Sequence, residues 1–362
     1  MQNGDSINAI SEFWSQYKVD GFPAFTPMYS VPFPRHPNQY FLFHQGLRFG
    51  TFPNGKTSIE FPLMYTLIDM NQNGGLGRVI SKNQMMVGDS AISTAMTKHG
   101  NGRDWWLITG VQSDPVQLVF LITDKGIQGP FEQGDGPGFP GGESFGLSTI
   151  SPDGSTYIRV TERSGLRIFD FDRCSGQLSN LRVIPYEKSL KVLSAIFAPD
   201  NRHLYLNYYD YVTVIDIQAP DPALTLDTIA YYDGFATPLP FSTGFFAGQL
   251  HKDGKIYYAT TNGTLALHVI HQPQLPGLSA NVQQHGITLP YYNAETMCRF
   301  PNYRLGRLVG SPCDTLPFSG SEKRDFGMNP TRHKANRTPT LGGYSRPCAA
   351  MASLQRKNRI CG

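Results

Sequence analysis

Two carboxylates that alternate with aromatic residues are a first candidate for chemistry in this chain. Asp170 and Asp172 stand two positions apart in a segment that reads as a β-strand, where side chains two apart project from the same face. Paired carboxylates on one face could catalyse hydrolysis or hold a cation. The simpler interpretation is a polar strand face on which each aspartate is solvated or hydrogen-bonded, and we favour it.

The histidines offer metal binding or acid–base chemistry. His268 and His271 are three apart in another strand-like segment, so they are expected on opposite faces, and a shared metal ion is not expected. His99, His203 and His251 stand beside similar turns, and a ring-shaped fold would bring such positions towards one mouth. Surface histidines in turns are the commoner case. The sequence therefore yields no catalytic residue and no metal site.

A glycine pattern in the segment 134–142 raises the question of a nucleotide cofactor. Gly136, Gly138 and Gly141 form a single GxGxxG, which binds phosphates only between a strand and the start of a helix. Two prolines interrupt this loop and a strand follows it, so we expect a loop and no cofactor. Common hydrolase and metalloprotease motifs are also missing, which favours a protein without catalysis but excludes little, because separate repeats can assemble a site.

Tyrosines near loops are the candidates for ligand binding. Five of them fall in two short stretches of the chain: Tyr208, Tyr209, Tyr211, Tyr231 and Tyr232. Exposed tyrosines stack on sugars or anchor protein partners, since the ring is large and the hydroxyl forms hydrogen bonds. The alternative is that these rings fill gaps between repeats. The expected partner is therefore a protein or a carbohydrate of unknown identity.

The elements that must position these residues recur along the chain. The segment 151–154 reads Ser-Pro-Asp-Gly and is followed by an alternating apolar stretch, which is a strong signal for a β-hairpin. Similar turns precede strand-like stretches before and after it. The second residue of each turn falls at positions 38, 102, 154, 201, 254 and 302.

A period near 50 residues with several short strands per repeat predicts a β-propeller. A single blade cannot bury both faces of its sheet, so blades must stack around an axis. We expect an all-β propeller with about six blade units, N-terminally truncated from a parent of seven blades. The propeller should span 1–316, with units near 22–88, 91–140, 143–188, 190–233 and 243–289 and a partial unit at 291–316.

Composition and charge support this fold and limit the partners. Charged residues make up 16% of the chain, below the roughly 25% of average soluble domains, while 37 glycines and 27 prolines favour turns. From Gly320 onwards nine basic residues face two acidic ones, although the whole chain has a net charge of only +3. The body is therefore mildly acidic, and no nucleic-acid partner is expected. We expect 317–362 to be a basic, disordered tail.

Membrane and cysteine patterns add two expectations. No run of 18 apolar residues occurs, so no transmembrane helix is expected, and the start of the chain does not resemble a signal peptide. None of the five cysteines has the spacing of a metal site. Cys298 and Cys313 could form a disulfide across a closing strand pair, and the sequence leaves that pairing open.

Several short sequence words resemble one family. They are found at 65–70, 73–77, 99–106, 168–176 and 300–306. These words resemble the secreted or surface WD-repeat-like (YVTN-type) propellers of Bacteroidota, over roughly 1–316. Members of that family often end in a sorting domain for type IX secretion, which this sequence lacks, and they begin before the region that matches Asn3.

The resemblance implies a non-catalytic binding or scaffold propeller of a secreted or cell-surface bacterial protein. In such a protein rigid blades hold variable loops, and the loops recognise a ligand. The alternative is a lactonase-like propeller hydrolase, whose acids, histidines and metal would converge at one end of the central channel.

Overall fold

The computed structural model describes residues 1–5, 7, 28–51, 57–88, 90–112, 114–134, 146–161, 165–185, 192–294, 297 and 299–314. The expected tail at 317–362 lies outside these residues. Within them the chain is a series of β-strands interrupted by short 3₁₀ turns. None of their helices is long and apolar enough to span a membrane.

Five four-stranded antiparallel sheets, here called blades 1 to 5, follow one another along the chain. Blade 1 contains β1 (Tyr29–Pro32) and β2 (Gln39–Gln45), a separate hairpin of β3 (Arg48–Thr51) and β4 (Thr57–Glu60), then β5 (Leu63–Asp69) and β6 (Arg78–Val87). Blade 2 contains β7 (Ala91–Lys98), β8 (Trp105–Val111), β9 (Gln117–Thr123) and β10 (Gly126–Gln133). Blade 3 contains β11 (Thr149–Ile150), β12 (Thr156–Thr161), β13 (Gly165–Phe171) and β14 (Leu178–Ile184).

Blades 4 and 5 repeat the arrangement. Blade 4 contains β15 (Ser194–Phe197), β16 (His203–Asn207), β17 (Tyr211–Asp216) and β18 (Asp227–Tyr231). Blade 5 contains β19 (Phe245–Leu250), β20 (Ile256–Thr260), β21 (Gly263–Ile270) and β22 (Val282–Ala294). The 3₁₀ turns are Asn73–Gly75, Pro222–Thr225 and Gly277–Ala280.

The first strands of blades 2 to 5 lie side by side, as a propeller requires. Strand β11 contacts both β7 and β15, and β15 contacts β19. Leu147 and Ser194 form a parallel bridge between the first strands of blades 3 and 4. The fold is therefore an all-β propeller of five blades. The expectation of about six units from a seven-bladed parent is wrong in its number, because the described residues between 291 and 314 add no further sheet.

Hydrophobic clusters hold the blades together at four interfaces. Separate clusters of buried residues join blades 1 and 2, blades 2 and 3, blades 3 and 4, and blades 4 and 5. The adjacent Trp105 and Trp106 face opposite sides of blade 2 and enter two different clusters, as alternation along a strand dictates. No such cluster in the described part of the chain joins blade 5 to blade 1.

Residues 299–314 form a segment that we call the strap. The strap crosses the end of the propeller where the first and second strands of each blade are connected. Leu308 donates its backbone N–H to the carbonyl of Gly100 at 2.7 Å, and the Asn302 amide donates to the Pro152 carbonyl at 2.8 Å. These contacts place the strap over turns of blades 2 and 3. The strap occupies most of the segment 291–316, in which a partial sixth blade unit was expected.

A disulfide fixes the far end of the strap. Cys313 is bonded to Cys174 in the loop between β13 and β14, across 139 residues of sequence. Gly100 makes room for the bond, because a Cβ atom there would lie 2.4 Å from the Cys313 sulfur. Cys313 therefore does not pair with Cys298, the partner considered from the sequence, and Cys298 itself lies outside the described residues.

A buried arginine reinforces this anchor. Arg173 donates from Nη2 to the Gly306 carbonyl in the strap at 2.7 Å, and from Nε to the Lys98 carbonyl in blade 2 at 2.9 Å. Burial lowers the pKa of its guanidinium, and the charge of Asp153 opposes that shift. Arg173 thus ties blade 2, blade 3 and the strap together through carbonyl groups.

Candidate functional site

A second buried arginine connects the two ends of the blade series. The Nη1 atom of Arg299 donates to the Ser148 carbonyl at 2.6 Å, and Nη2 lies 3.4 Å from the Gly248 carbonyl. The same guanidinium is hydrogen-bonded to the hydroxyl of Tyr29 in β1. Burial lowers the pKa of Arg299, while Tyr29 and Tyr258 act in the opposite direction. Arg299 therefore bridges blades 1 and 5, where no hydrophobic cluster does, and its contacts are those of a structural link.

The tyrosines selected from the sequence flank loops of blade 4, with Tyr208 and Tyr211 on the side of blade 3 and Tyr232 on the side of blade 5. The rings of Tyr208 and Tyr211 are stacked with centroids 4.3 Å apart, and Tyr211 is 6.1 Å from Tyr231. Tyr209 and Tyr232 form an edge contact at 6.2 Å. Tyr208 is buried and packs in a blade cluster, whereas 71% of Tyr231 is exposed. We call the four outer rings, Tyr209, Tyr211, Tyr231 and Tyr232, the tyrosine rim.

A chain of neutral polar groups continues from the rim. The hydroxyls of Tyr209 and Ser242 are hydrogen-bonded to each other, and the Asn262 amide donates to Ser242 at 3.1 Å. The Tyr232 hydroxyl donates to the carbonyl of Phe235 in the loop that joins β18 to β19. These groups both donate and accept hydrogen bonds, as a site for a hydroxylated ligand needs.

An aspartate and a histidine adjoin this chain. The Nε2 atom of His285 lies 2.8 Å from Oδ2 of Asp233, and the Phe235 ring lies 4.3 Å from the imidazole. Burial alone would raise the pKa of Asp233, but the Phe235 N–H and His285 hydrogen bonds outweigh it, and the pKa is lowered. The carboxylate is therefore ionised near neutral pH and can only accept a hydrogen bond.

This contact assigns the tautomer of His285. Because the Asp233 carboxylate accepts, Nε2 carries the proton in the neutral imidazole and Nδ1 keeps its lone pair. No described residue forms a hydrogen bond with Nδ1. The side chains of both residues are more than a third exposed, so water reaches them. A carboxylate that orients an imidazole whose other nitrogen is available is the arrangement of a general base.

The backbone of His285 is strained at this point. Its φ angle is 39°, a left-handed value that non-glycine residues rarely adopt. The residue lies where the register between β21 and β22 shifts, so it sits in a β-bulge. Bulges and left-handed backbone concentrate at functional sites, where they redirect a side chain. Here the bulge accompanies the contact of His285 with Asp233.

His268 supports the bulge from inside blade 5. Its Nδ1 accepts the backbone N–H of His285 at 2.9 Å, and its Nε2 lies 2.6 Å from the Thr243 carbonyl. Both contacts fit a neutral imidazole with the proton on Nε2. Burial lowers the pKa of His268 to about 4. The ring therefore stays neutral near pH 7 and holds the strained backbone in place.

The structure does not bring the other sequence candidates into a shared site. Asp170 accepts from the Asn180 amide at 2.8 Å, whereas Asp172 accepts from the Cys174 N–H and the Ser175 hydroxyl in a turn. His271 pairs with Gln283 and is separate from His268, as the odd spacing predicts. Among the residues with described positions, no three His, Cys, Asp or Glu side chains are grouped to hold a metal.

The three turn histidines have separate surroundings at the strap end. His99 stacks on Trp106 with centroids 5.4 Å apart, and His203 lies 2.6 Å from an Asp200 carboxylate oxygen. The ring of His251 contacts Phe300 of the strap at 6.1 Å. The acids and histidines expected to converge in the channel of a lactonase-like propeller are thus not found together in the described structure. Histidine–aspartate pairs form separately at His203, His251 and His285, and the pair at His285 is at the boundary of blades 4 and 5.

Sequence reasoning missed Asp233, Ser242 and His285. Asp233 and His285 are 52 residues apart, in different blades, so no short motif contains them. One local signal was present, because Gly286 interrupts an otherwise strand-like stretch directly after His285, and an isolated glycine in a strand suggests a bulge.

Comparison with known proteins gives no family. Neither the scan against protein-family models nor the search of curated proteins found a match. The chain is similar to the structure of a Lactobacillus plantarum protein at 12% identity, over 74% of this chain and 86% of that one, with a TM-score of 0.43. The structure of a proposed 6-phosphogluconolactonase from Bacteroides uniformis is similar at 13% identity, over 73% of this chain and 86% of that one, with a TM-score of 0.43. The periplasmic gluconolactonase of Pseudomonas aeruginosa is similar at 14% identity, over 75% and 73%, with 0.42.

These comparisons correct the main expectation for function. Two of the three similar structures named above carry a functional name, and both names are those of lactonases. The expected non-catalytic binding or scaffold module is therefore wrong, and the lactonase-like alternative agrees better with the comparisons. At these identities and TM-scores the likeness concerns the fold alone, so no residue or reaction can be transferred from those proteins.

Proposed function

We propose that the chain is a hydrolase of the lactonase-like propeller class and that His285 activates the attacking water. The observation that carries this proposal is the His285–Asp233 pair, in which Nε2 is held by a carboxylate and Nδ1 has its lone pair available. The strained bulge at His285 supports it, because such backbone persists where its surroundings maintain it.

The reaction is the hydrolysis of a cyclic ester. A water molecule hydrogen-bonded to Nδ1 of His285 attacks the ester carbonyl and transfers a proton to that nitrogen. The imidazolium that forms is stabilised by the Asp233 carboxylate. Collapse of the tetrahedral intermediate breaks the ring C–O bond, and the proton passes from Nδ1 to the departing alkoxide. The product is a hydroxy acid, which ionises and releases one proton at neutral pH.

Proton release provides a direct assay. Five- and six-membered lactones of sugar acids would be compared with an open-chain ester, after subtraction of spontaneous hydrolysis. His285→Gln keeps a side chain of similar reach but removes the base, and we expect it to lower kcat by about 10²–10⁴-fold. Asp233→Asn should also lower kcat strongly, because the tautomer and orientation of the imidazole are no longer enforced.

A matched control exists in the same molecule. His203 also contacts a carboxylate, that of Asp200 at 2.6 Å, but in the turn between β15 and β16. His203→Gln should leave the hydrolysis rate unchanged. If His285→Gln is as active as the parent protein, or if both variants lose activity equally, the assignment of the base is wrong.

We also infer that the protein works outside the cytoplasm. The resemblance to secreted and surface propellers supports this location, and so does the Cys174–Cys313 disulfide, because such bonds persist in oxidising compartments. Thiol alkylation of the protein in intact cells of its source, followed by mass spectrometry, tests the inference. Alkylation of both cysteines in the native protein would contradict it.

A further inference from the structure

The charges around the His285–Asp233 pair indicate what kind of ring the site accepts. Asp233 carries a negative charge there, because its pKa is lowered. Among the described contacts of the rim and of the pair, no lysine or arginine takes part. Phosphate groups in proteins are held by cationic side chains or by helix N-termini. A phosphorylated ligand would meet repulsion at this place.

The hydrogen-bonding groups are neutral and suited to alcohols. The hydrogen-bonded hydroxyls of Tyr209 and Ser242 can each donate and accept. The side-chain amide of Asn262 donates through its nitrogen and can accept through its oxygen. Hydroxyl groups of a ligand also donate and accept hydrogen bonds. They can therefore replace water at these polar groups without burying an unpaired charge.

An exposed aromatic face completes the site. Phe235 is 42% exposed, and its ring lies directly against the His285 imidazole. Exposed rings of this kind offer flat apolar surface to the C–H face of a sugar-like ring. A ligand stacked there lies within reach of the water-activating nitrogen.

We propose that the substrate is an uncharged lactone of a polyhydroxy acid and that phosphorylated lactones are discriminated against. This inference rests on the hydrolase function proposed above and defines its substrate class. The neutral hydroxyl chain binds the ring substituents, the Phe235 face stacks on the ring, and the Asp233 carboxylate disfavours an anionic substituent.

A stable analogue tests binding apart from hydrolysis. Gluconolactam, in which nitrogen replaces the ring oxygen, and its 6-phosphate would be titrated into the full chain by calorimetry. We expect the neutral lactam to bind at least tenfold more tightly than the phosphate. Phe235→Ala should weaken binding of the lactam about tenfold, whereas Tyr257→Phe, at a tyrosine that contacts Asp253 on the strap side, should leave it unchanged.

The outcomes separate this inference from the function itself. Tighter binding of the phosphate, or no binding of either probe, overturns the substrate class. If the phosphorylated lactone is hydrolysed faster than the neutral one, and His285→Gln loses that activity, the substrate class is overturned but the hydrolase function is supported. Binding of the lactam without hydrolysis of any lactone supports the ligand class and overturns the hydrolase.

Discussion

The imidazole of His268 accepts the backbone N–H of His285, so a buried side chain on β21 fixes a strained residue on β22. Another buried imidazole forms a hydrogen bond with an uncharged partner in blade 1, where His44 Nε2 lies 2.8 Å from the Thr66 hydroxyl. Burial lowers the pKa of both imidazoles to about 4. Both histidines therefore couple stability to pH.

The first prediction is a loss of stability between pH 7 and pH 5. An unfolded histidine titrates near 6.5, whereas His44 and His268 remain neutral in the folded state until about pH 4. Protons thus bind the unfolded chain preferentially as the pH falls, and stability that is complete above pH 6.5 is lost towards pH 4. Each histidine should lower the free energy of unfolding by about 2 kcal/mol between pH 7 and pH 5.

Urea unfolding at several pH values measures this effect. His44→Gln should be less dependent on pH than the parent, because one of the two titrating groups is gone. The control is His271→Gln, since His271 is only half-buried and pairs with Gln283. An unfolding free energy that is constant from pH 7 to pH 5 would contradict the prediction.

The second prediction concerns the disulfide. Cys313→Ser opens a loop of 139 residues, and the chain-entropy estimate for a loop of this length is about 5 kcal/mol of lost stability. We expect a decrease of about 3–5 kcal/mol in the free energy of unfolding, and a similar decrease when the parent protein is reduced. Ser311→Ala, which removes only the hydroxyl beside the sulfurs, serves as the control. Equal unfolding curves with and without reductant would show that the strap is held by its other contacts.

The third prediction concerns two glycines under the strap. Gly100→Ala would place a Cβ atom 2.4 Å from one sulfur and 2.8 Å from the other, so the fraction of oxidised protein should fall. Gly102→Ala would collide with the Arg307 backbone at 2.8 Å and force a side chain onto a φ of +73°, which should destabilise by about 1–3 kcal/mol. Thermal melting and thiol counting measure both effects. Gly306→Ala is the control, because nothing lies within 4 Å of that position.

The fourth prediction concerns the link between blades 1 and 5. Arg299→Met removes the donors to the Ser148 and Gly248 carbonyls, and each buried carbonyl left unpaired costs about 1–3 kcal/mol. Hydrogen exchange should then accelerate in β1 and β19, which Arg299 joins. Arg304→Met, at an exposed position of the strap, should leave exchange in both strands unchanged. Unchanged protection in β1 and β19 of Arg299→Met would show that another contact closes the structure.

The blades were predictable because their signals are local. The turn at 151–154 and its counterparts connect the first and second strands, since turn chemistry and strand alternation act over only a few residues. The prediction of a sixth unit was wrong although the turn that indicated it is present. Leu305 donates its N–H to the Asn302 carbonyl at 3.2 Å, but no strand follows up to residue 314, where the description ends, because the chain there is bound to blades 2 and 3 as the strap.

Only part of the proposed site has a local signal in the sequence. Tyrosine pairs adjacent in sequence, such as Tyr208 with Tyr209 and Tyr231 with Tyr232, mark a cluster because they flank loops of one blade. The partnership of His285 with Asp233 depends on the stacking of blade 5 on blade 4 and on a bulge. Neither of these leaves a pattern in a single stretch of sequence.

The connection between Cys174 and Cys313 has a consequence for biosynthesis. A ribosome that adds about 5–20 residues per second needs roughly 7–28 s to extend the nascent chain from one cysteine to the other. Throughout that interval the blade ends that the strap will cover are bare and the first thiol is unpaired. Chaperones and thiol oxidoreductases that meet the emerging polypeptide therefore encounter it before the strap has been synthesised.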